Sequence, residues 1–219
     1  MKWLYLIAGS ALFLKFIFAS HAPGVESDGS IMFSIISDSG VPNAVAGVIF
    51  RNRLYDTIFE VIVFTMTILG AQYLLEDENP HPRIRQFKDA PSILLARLGA
   101  TITALVAFEL AIRGHLSPGG GFAAGVAGGT AIGLAALTAL DKSQKVHRSS
   151  NAVVWEKVIV LAFIVLSVLT LTGIELPRGS FGSLLSGGGI PVMNVLVAIK
   201  VMLGAWALLM ILIRYRGLL

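Results

Sequence analysis

Hydrophobic residues fall along the chain in six long runs separated by shorter polar stretches. The runs cover approximately Trp3–Ala19, Thr57–Leu75, Ser92–Arg113, Phe122–Leu140, Val153–Gly173 and Pro191–Arg214. Each run approaches the ~20 apolar residues that a helix needs to cross the hydrocarbon layer of a membrane. The pattern therefore predicts an all-α, polytopic membrane protein with about six transmembrane helices.

The first run has two interpretations. Lys2, the short apolar stretch and the small residues at 19–22 are features of a signal peptide. Lys15 interrupts the apolar stretch, however, and this favours a span that is retained in the protein.

Composition supports the membrane assignment and excludes several classes of site. The chain is 55% hydrophobic and only 14% charged, whereas roughly a quarter of the residues in soluble domains are charged. Because it contains no cysteine, thiolate-ligated iron–sulfur clusters and disulfides within this chain are excluded. The four histidines are not at metal-ligand spacing, and we expect neither a metal nor a cofactor in this chain. Basic residues are scattered singly at the ends of segments, which gives no support for nucleic-acid binding.

The distribution of Lys and Arg between the connecting segments predicts the orientation, since cytoplasmic loops are the more basic ones. One side carries nine of these residues and the other carries four. The nine are Lys2, Arg83, Arg85, Lys88, Lys142, Lys145, Arg148, Arg214 and Arg216, and the four are Arg51, Arg53, Arg113 and Arg178. We therefore expect both termini in the cytoplasm and the protein in the plasma membrane.

Two of the segments that connect the apolar runs are long enough for their sequences to predict local structure or a domain boundary. In the outer loop at 20–56, the first half (HAPGVESDGS) is typical of irregular structure, and the second half (VPNAVAGVIFRNRL) predicts a short helix lying in the interface with Arg51 and Arg53 at the headgroups. The segment EDENPHPRIRQFKDAP, at 76–91, is polar and contains three prolines. It is the natural boundary between two domains, 1–90 and 91–219.

The stretch RGHLSPGGGFAAG, at 113–125, joins the third and fourth runs. Proline suits the first turn of a helix, and glycine permits conformations and close approaches that a side chain would prevent. One interpretation is a tight outer hairpin followed by a small-residue face for helix packing, because glycines recur every four residues. The other adds an anion-attracting helix N-terminus and a histidine that titrates near neutral pH. The motif residues are His115, Pro118, Gly119, Gly120, Gly121, Gly125 and Gly129, with Gly133 extending the face.

Ionisable side chains inside the apolar runs are candidates for an ion or proton path, because each costs at least ~2.5–3.5 kcal/mol at mid-span. Lys200 lies ~14 Å along the last span, near the middle of the membrane, and is either a proton relay or the partner of a carboxylate on a neighbouring subunit. Glu60 has no partner in the local sequence, whereas Glu109 is placed to pair with Arg113 four residues later. Glu156 can pair with the basic loop. Asn194, near the outer end of the last span, either makes an interhelical hydrogen bond or lines a cation path. The candidate path residues are Asp56, Glu60, Glu109, His115, Asn194 and Lys200.

Two parts of the chain resemble known membrane subunits. The stretches GHLSPGGGFAAG, at 114–125, and PVMNVLVAIKV, at 191–201, resemble the MnhB-type subunit of multisubunit, Mrp-type Na⁺/H⁺ antiporters, which has relatives in membrane-bound hydrogenases. Upstream, NAVAGVIFRNRLYDTIFE, at 43–60, resembles the C-terminal part of the large antiporter subunit, which is a separate MbhE-type subunit in hydrogenase complexes. The resemblance implies a two-helix MbhE-like segment at 1–90, with its outer loop and interfacial helix, fused to a four-helix MnhB-like domain at 91–219.

The resemblance implies a membrane subunit of a Na⁺/H⁺ antiporter module that helps to form the ion path and bridges larger subunits. Glu60 and Glu109 would relay protons or bind a cation, Lys200 would be a midplane relay, and His115 would gate the outer exit. The alternative is a mainly structural subunit of an energy-converting respiratory complex, such as a membrane-bound hydrogenase or sulfur reductase. A free-standing transporter is a third hypothesis, although six spans with few polar residues offer few side chains that could form a substrate site within this chain alone. Na⁺ and H⁺ are the expected transported ions, and other membrane subunits the expected partners.

Overall fold

The computed structural model describes Leu14 and residues 29–79, 89–139 and 151–216. In these ranges the chain is helical: α1 Gly29–Ser39, α2 Ala44–Gly47, a π-helical segment Val48–Asn52, α3 Leu54–Leu75, α4 Ala90–Arg113, α5 Gly121–Thr138, α6 Ala152–Leu171 and α7 Ile190–Arg216. Contacts divide the chain into two units, 1–34 and 35–219. All the contacts described below lie within the second unit.

Five helices, α3 to α7, are long and apolar enough to cross a membrane. They correspond to the five predicted spans from Thr57 onward, and their ends agree with the predicted ones to within a few residues. The first predicted span, Trp3–Ala19, lies outside the described residues except for Leu14. The all-α, polytopic prediction is confirmed for the described chain, whereas the orientation of the termini stays a prediction.

The connection at 20–56, which the sequence predicts to be an outer loop, contains more helix in its described part than the sequence pattern predicts. The segment before α3 is helical as expected, through α2 and the π-helical segment, but α1 is an additional helix. Helix α1 and the Ala44–Asn52 segment together are apolar enough to cross a membrane, with a bend of 64° between them. Gly40, with φ +69°, lies at this bend in a conformation that favours glycine.

Helix α7 is the centre of the bundle and packs against α3, α4, α5 and α6. Half of the residues in its most apolar window are buried within the chain, compared with 6% in α4. A cluster of buried apolar side chains surrounds the first half of α7, and a smaller cluster surrounds the second half. The first contains Val41, Phe50, Leu54, Val61, Phe163, Ile190, Met193, Val197 and Val201, and the second contains Ala136, Ala152, Trp206, Met210 and Ile213.

Glycines of α5 bring its backbone against α7. A Cβ atom at Gly129 would lie 2.7 Å from the Cβ of Ala205, and one at Gly125 would lie 2.8 Å from the carbonyl oxygen of Ala198. A Cβ at Gly121 would collide with the carbonyl oxygen of Asn194. Because contacts this short cannot be made by a real side chain, the glycine spacing sets the distance between the two helices.

Candidate functional site: a buried lysine–glutamate pair

Lys200 is fully buried in α7, ten residues after Ile190. At 1.5 Å per residue it lies ~15 Å along the helix, half-way across a hydrocarbon layer of ~30 Å. Its ammonium group is 3.8 Å from Oε1 of Glu156, a buried carboxylate of α6. Glu156 thus lies beside Lys200 in the interior, while the basic loop with which the sequence suggested it can pair lies outside the described residues.

The two charged groups are close enough to attract each other but too far apart for a direct hydrogen bond. Hydrogen bonds between ammonium and carboxylate groups are normally ~2.7–2.9 Å long. Neither Nζ of Lys200 nor Oε1 of Glu156 has a hydrogen-bond partner among the described residues. The pair therefore has hydrogen-bonding capacity left over, which a mobile proton or a water molecule can use.

An aromatic ring completes the surroundings of the lysine. Nζ lies 4.0 Å from the centre of the Phe64 ring on α3, a cation–π geometry that is worth ~2 kcal/mol or more when the cation is desolvated. Phe64 reaches this position because Gly204, one turn further along α7, has no side chain: a Cβ there would lie 2.8 Å from the ring. Neither Phe64 nor Gly204 is among the residues predicted from the sequence. The signal that could have found them is an isolated glycine one helical turn after the buried lysine.

Asn194 lies one turn inside the start of α7 and is fully buried. Its side-chain N–H groups donate to the carbonyl oxygens of Leu110, at 3.3 Å, and Ala111, at 2.6 Å. These carbonyls belong to the last turn of α4, where no intrahelical donors remain. Asn194 thus caps α4, the interhelical role that was one of its two expected roles.

The glycine-rich hairpin folds around this cap. Gly119 and Gly120 have φ values of +147° and +96°, and helix α5 begins at Gly121, directly after them. A Cβ at Gly114 would lie 2.7 Å from Nδ2 of Asn194. Pro118 lies in the turn that precedes these glycines. The hairpin is therefore shaped so that its backbone fits against α7.

His115 is fully buried in the hairpin, and neither ring nitrogen makes a hydrogen bond of good geometry with a described residue. Burial lowers the pKa of His115 below its usual value, against the opposing effect of the backbone at Ser183 and Leu184. Asn43, directly before α2, binds the same hairpin. Its side chain donates to the carbonyl oxygens of Gly114, at 2.8 Å, and Ser117, at 2.9 Å. The ring that was expected to titrate at the outer exit is thus enclosed and favours the neutral form.

The three carboxylates of the predicted path lie away from the buried pair. Glu60 is exposed on α3. Glu109 is exposed on α4 and pairs with Arg113 at 2.9 Å, as the sequence predicts. Asp56 pairs with Arg53 near the start of α3. Of the predicted path residues, the structure places Lys200, Asn194 and His115 in the interior, and the carboxylate that approaches Lys200 is Glu156.

A second charged cluster joins α1, the π-helical segment and the segment between α6 and α7. Arg51 pairs with Asp38 at 2.8 Å and with Glu175 at 2.6 Å, and Arg178 pairs with the same glutamate at 2.6 Å. Hydrogen bonds from Arg178 and Arg51 lower the pKa of Glu175 below its usual value. Among the described residues, no group of three or more His, Cys, Asp and Glu side chains is arranged to hold a metal ion.

A bundle of long apolar helices around a central helix with a buried charge pair defines a multi-pass, all-α membrane protein. Residues 91–207 match the family of domains related to the MnhB subunit of Na⁺/H⁺ antiporter. The chain belongs to this family, and it is a membrane subunit of the antiporter type.

Two solved structures share the fold. The chain is similar to a chain of the membrane-bound sulfane sulfur reductase, an archaeal respiratory membrane complex, with a TM-score of 0.71, 22% identity, and coverage of 98% of this chain and 99% of that one. It is also similar to a chain of the Mrp complex from a Dietzia species, with a TM-score of 0.64 and 19% identity. That match covers 97% of this chain but 26% of the other, so this chain spans about a quarter of its relative. A comparison with curated proteins gives no match.

Proposed function

We propose that the chain is a subunit of a Na⁺/H⁺ antiporter-type complex in which Lys200 and Glu156 relay protons through the membrane interior. Its helices would also bridge larger membrane subunits of that complex. The transported ions would be Na⁺ and H⁺, and the chain would need no bound cofactor of its own.

The observation that carries this proposal is the separation of 3.8 Å between Lys200 and Glu156, both of them buried inside the bundle. Burying both charges costs several kcal/mol per ion, and the pair recovers only part of this because it makes no direct hydrogen bond. An ammonium and a carboxylate held this way exchange a proton at little cost, since the neutral forms are also tolerated in an apolar interior. Membrane-embedded ionisable pairs commonly serve as such relays.

The exposed carboxylates belong to a different part of the proposal. Glu60 and Glu109 lie on helix surfaces that the described residues do not cover. Because a charge facing hydrocarbon is costly, we expect other subunits to cover these positions. Their role in relaying ions would then be at subunit contacts rather than inside this chain.

Charge-removing variants of the pair test the relay. Lys200→Met and Glu156→Gln, each introduced into the intact complex, should abolish cation-driven proton movement in membrane vesicles, followed with a pH-sensitive dye. Arg97→Ala is the matched control, because Arg97 is also a cation within a span but is exposed on α4. Copurification of the other subunits reports assembly in every variant.

A double variant separates a relay from a fixed structural pair. Removing one partner of a buried ion pair typically destabilises by ~3–5 kcal/mol, whereas replacing both by apolar residues is often neutral. The combination Lys200→Met with Glu156→Leu should therefore restore assembly and leave transport abolished. If the double variant both assembles and transports at the wild-type rate, the pair is structural and the relay proposal is wrong.

A second candidate is a mainly structural role in an energy-converting respiratory complex. It is favoured by chain length, since this chain and its counterpart in the sulfane sulfur reductase cover each other almost completely. Copurification decides the parent complex. Recovery of iron–sulfur subunits, detected by electron paramagnetic resonance, would favour a redox-linked complex, and their absence alongside large antiporter subunits would favour the antiporter.

A further inference from the structure

A small cavity lies beside Glu156, between α3, α6 and α7. Its volume is about 20 Å³, and its polar lining comes from Thr65, Gln72, Glu156 and Lys157. A space of ~10–15 Å³ is enough to hold one water molecule if polar partners are present. Glu156 lines this space, and its Oε1 is buried without a hydrogen-bond partner among the described residues.

This cavity adjoins a much larger groove at the end of the bundle where α3 and α7 finish. The groove has a volume of about 500 Å³, and its polar lining comes from Gln72, Tyr73, Glu76, Arg214 and Tyr215. Leu69, Gln72 and Ala207 line both spaces. Gln72 is the polar member of these three, so it lies where the groove meets the cavity.

The opposite direction along α7 is closed by apolar packing. From Ile190 to Val201, this side of the helix is buried in the larger apolar cluster, which includes Phe50 of the π-helical segment and Phe163 of α6. Water is not stable in an apolar cavity. Within the described chain, the buried pair therefore has a polar approach from the groove, whereas the layer next to it on the other side, which contains Phe163 and Val197, is apolar.

We propose that Gln72 marks a one-sided water path that leads from the groove between α3 and α7 to Glu156 and Lys200. The ligand is a proton carried on water. At the inner end, a hydronium ion transfers its proton to the Glu156 carboxylate, which yields water and the neutral carboxylic acid. The ammonium of Lys200 then lacks a counter-charge at 3.8 Å. The transfer of the proton from water to Glu156 rests on the relay function proposed above, whereas the existence of the water path does not.

The absence of cysteine in the natural chain allows the path to be mapped with single introduced cysteines in the intact complex. Thr65 and Met66 are neighbours on α3 and so lie at the same depth, but Thr65 lines the cavity while Met66 is 64% exposed on the outside of the bundle. Gln72→Cys marks the junction. The probes are trimethylammonium-ethyl methanethiosulfonate, which carries a permanent charge, does not cross membranes and is bulky, and Ag⁺, which is small.

The water path predicts a specific pattern of reactivity. Only the thiolate reacts, and it forms only in contact with water, so Thr65→Cys should react with Ag⁺ at least ~10-fold faster than Met66→Cys. Gln72→Cys should react with both probes, and only when they are added on the groove side. Equal Ag⁺ rates at Thr65→Cys and Met66→Cys, or reaction of Thr65→Cys from the opposite side, would overturn the proposal.

Transport measurements distinguish failure of the path from failure of the relay. Gln72→Leu should slow proton movement while Gln72→Asn retains most of it, because only the asparagine keeps a polar group at the junction. Labelling of Thr65→Cys combined with unimpaired transport in Lys200→Met would support the water path and contradict the relay. Loss of transport in Lys200→Met without the labelling pattern would support the relay and contradict the water path.

Discussion

Replacing Gly125 with alanine should destabilise the packing of α5 on α7. The added Cβ would lie 2.8 Å from both the carbonyl oxygen of Ala198 and Cγ1 of Val201. The first is a backbone atom and the second belongs to a β-branched side chain with little rotamer freedom in a helix, so neither yields easily. Overpacking of this kind costs ~1–3 kcal/mol, against a gain of ~1 kcal/mol from the better helix propensity of alanine.

Gly70→Ala is the matched control. Gly70 is also helical, in α3, but a Cβ there would meet nothing within 4 Å. The control therefore keeps the propensity gain without the overpacking cost, and the two variants should differ by ~1–3 kcal/mol. At about 2–4 °C per kcal/mol for a chain of this size, Gly125→Ala should unfold several degrees below Gly70→Ala. Thermal unfolding in detergent, followed by tryptophan fluorescence, gives both Tm values. If Gly125→Ala unfolds at or above the temperature of Gly70→Ala, α5 and α7 do not make the contact described here.

Two further predictions concern the hairpin after α4. Because burial lowers the pKa of His115 in the folded chain, the unfolded chain binds this proton more readily, and stability should fall as the pH drops through the unfolded value of ~6.5 towards the folded one. Thermal unfolding between about pH 8 and pH 5 should show this loss in the wild type and a flatter profile in His115→Gln, whereas parallel profiles would refute it. Asn194→Leu removes both hydrogen bonds to the last turn of α4 and should cost ~1–3 kcal/mol at neutral pH. An unchanged Tm would show that Asn194 does not cap α4.

The spans could be predicted from sequence because lipid imposes one simple requirement on all of them. A run such as the one ending at Leu75 must be apolar over its whole length, so its ends are visible where charge and proline return. Helix α1 was missed because it is short and follows polar, glycine-containing sequence. Its helical state depends on surroundings that local pattern does not report.

The buried lysine was also visible in the sequence, but its partner was not. Lys200 is an isolated charge in the middle of an apolar run, which marks it directly. Glu156 begins a different span, and from its position it was assigned to the basic loop. Helices α6 and α7 run in opposite directions, so Glu156 and Lys200 are counted from opposite ends of the bundle. The two groups still meet, because the long side chain of lysine reaches several ångströms along its helix.

The hydrogen bonds of Asn43 have a consequence for how the polypeptide is divided. They attach the segment at 35–79 to the hairpin after α4, while α3 lies against α6 and α7. A cut in the backbone between 79 and 89 would therefore leave two pieces that still recognise each other. Carrying both pieces on one polypeptide fixes their ratio at one to one, so each piece is always made together with the other. It also raises their effective concentration to the millimolar range.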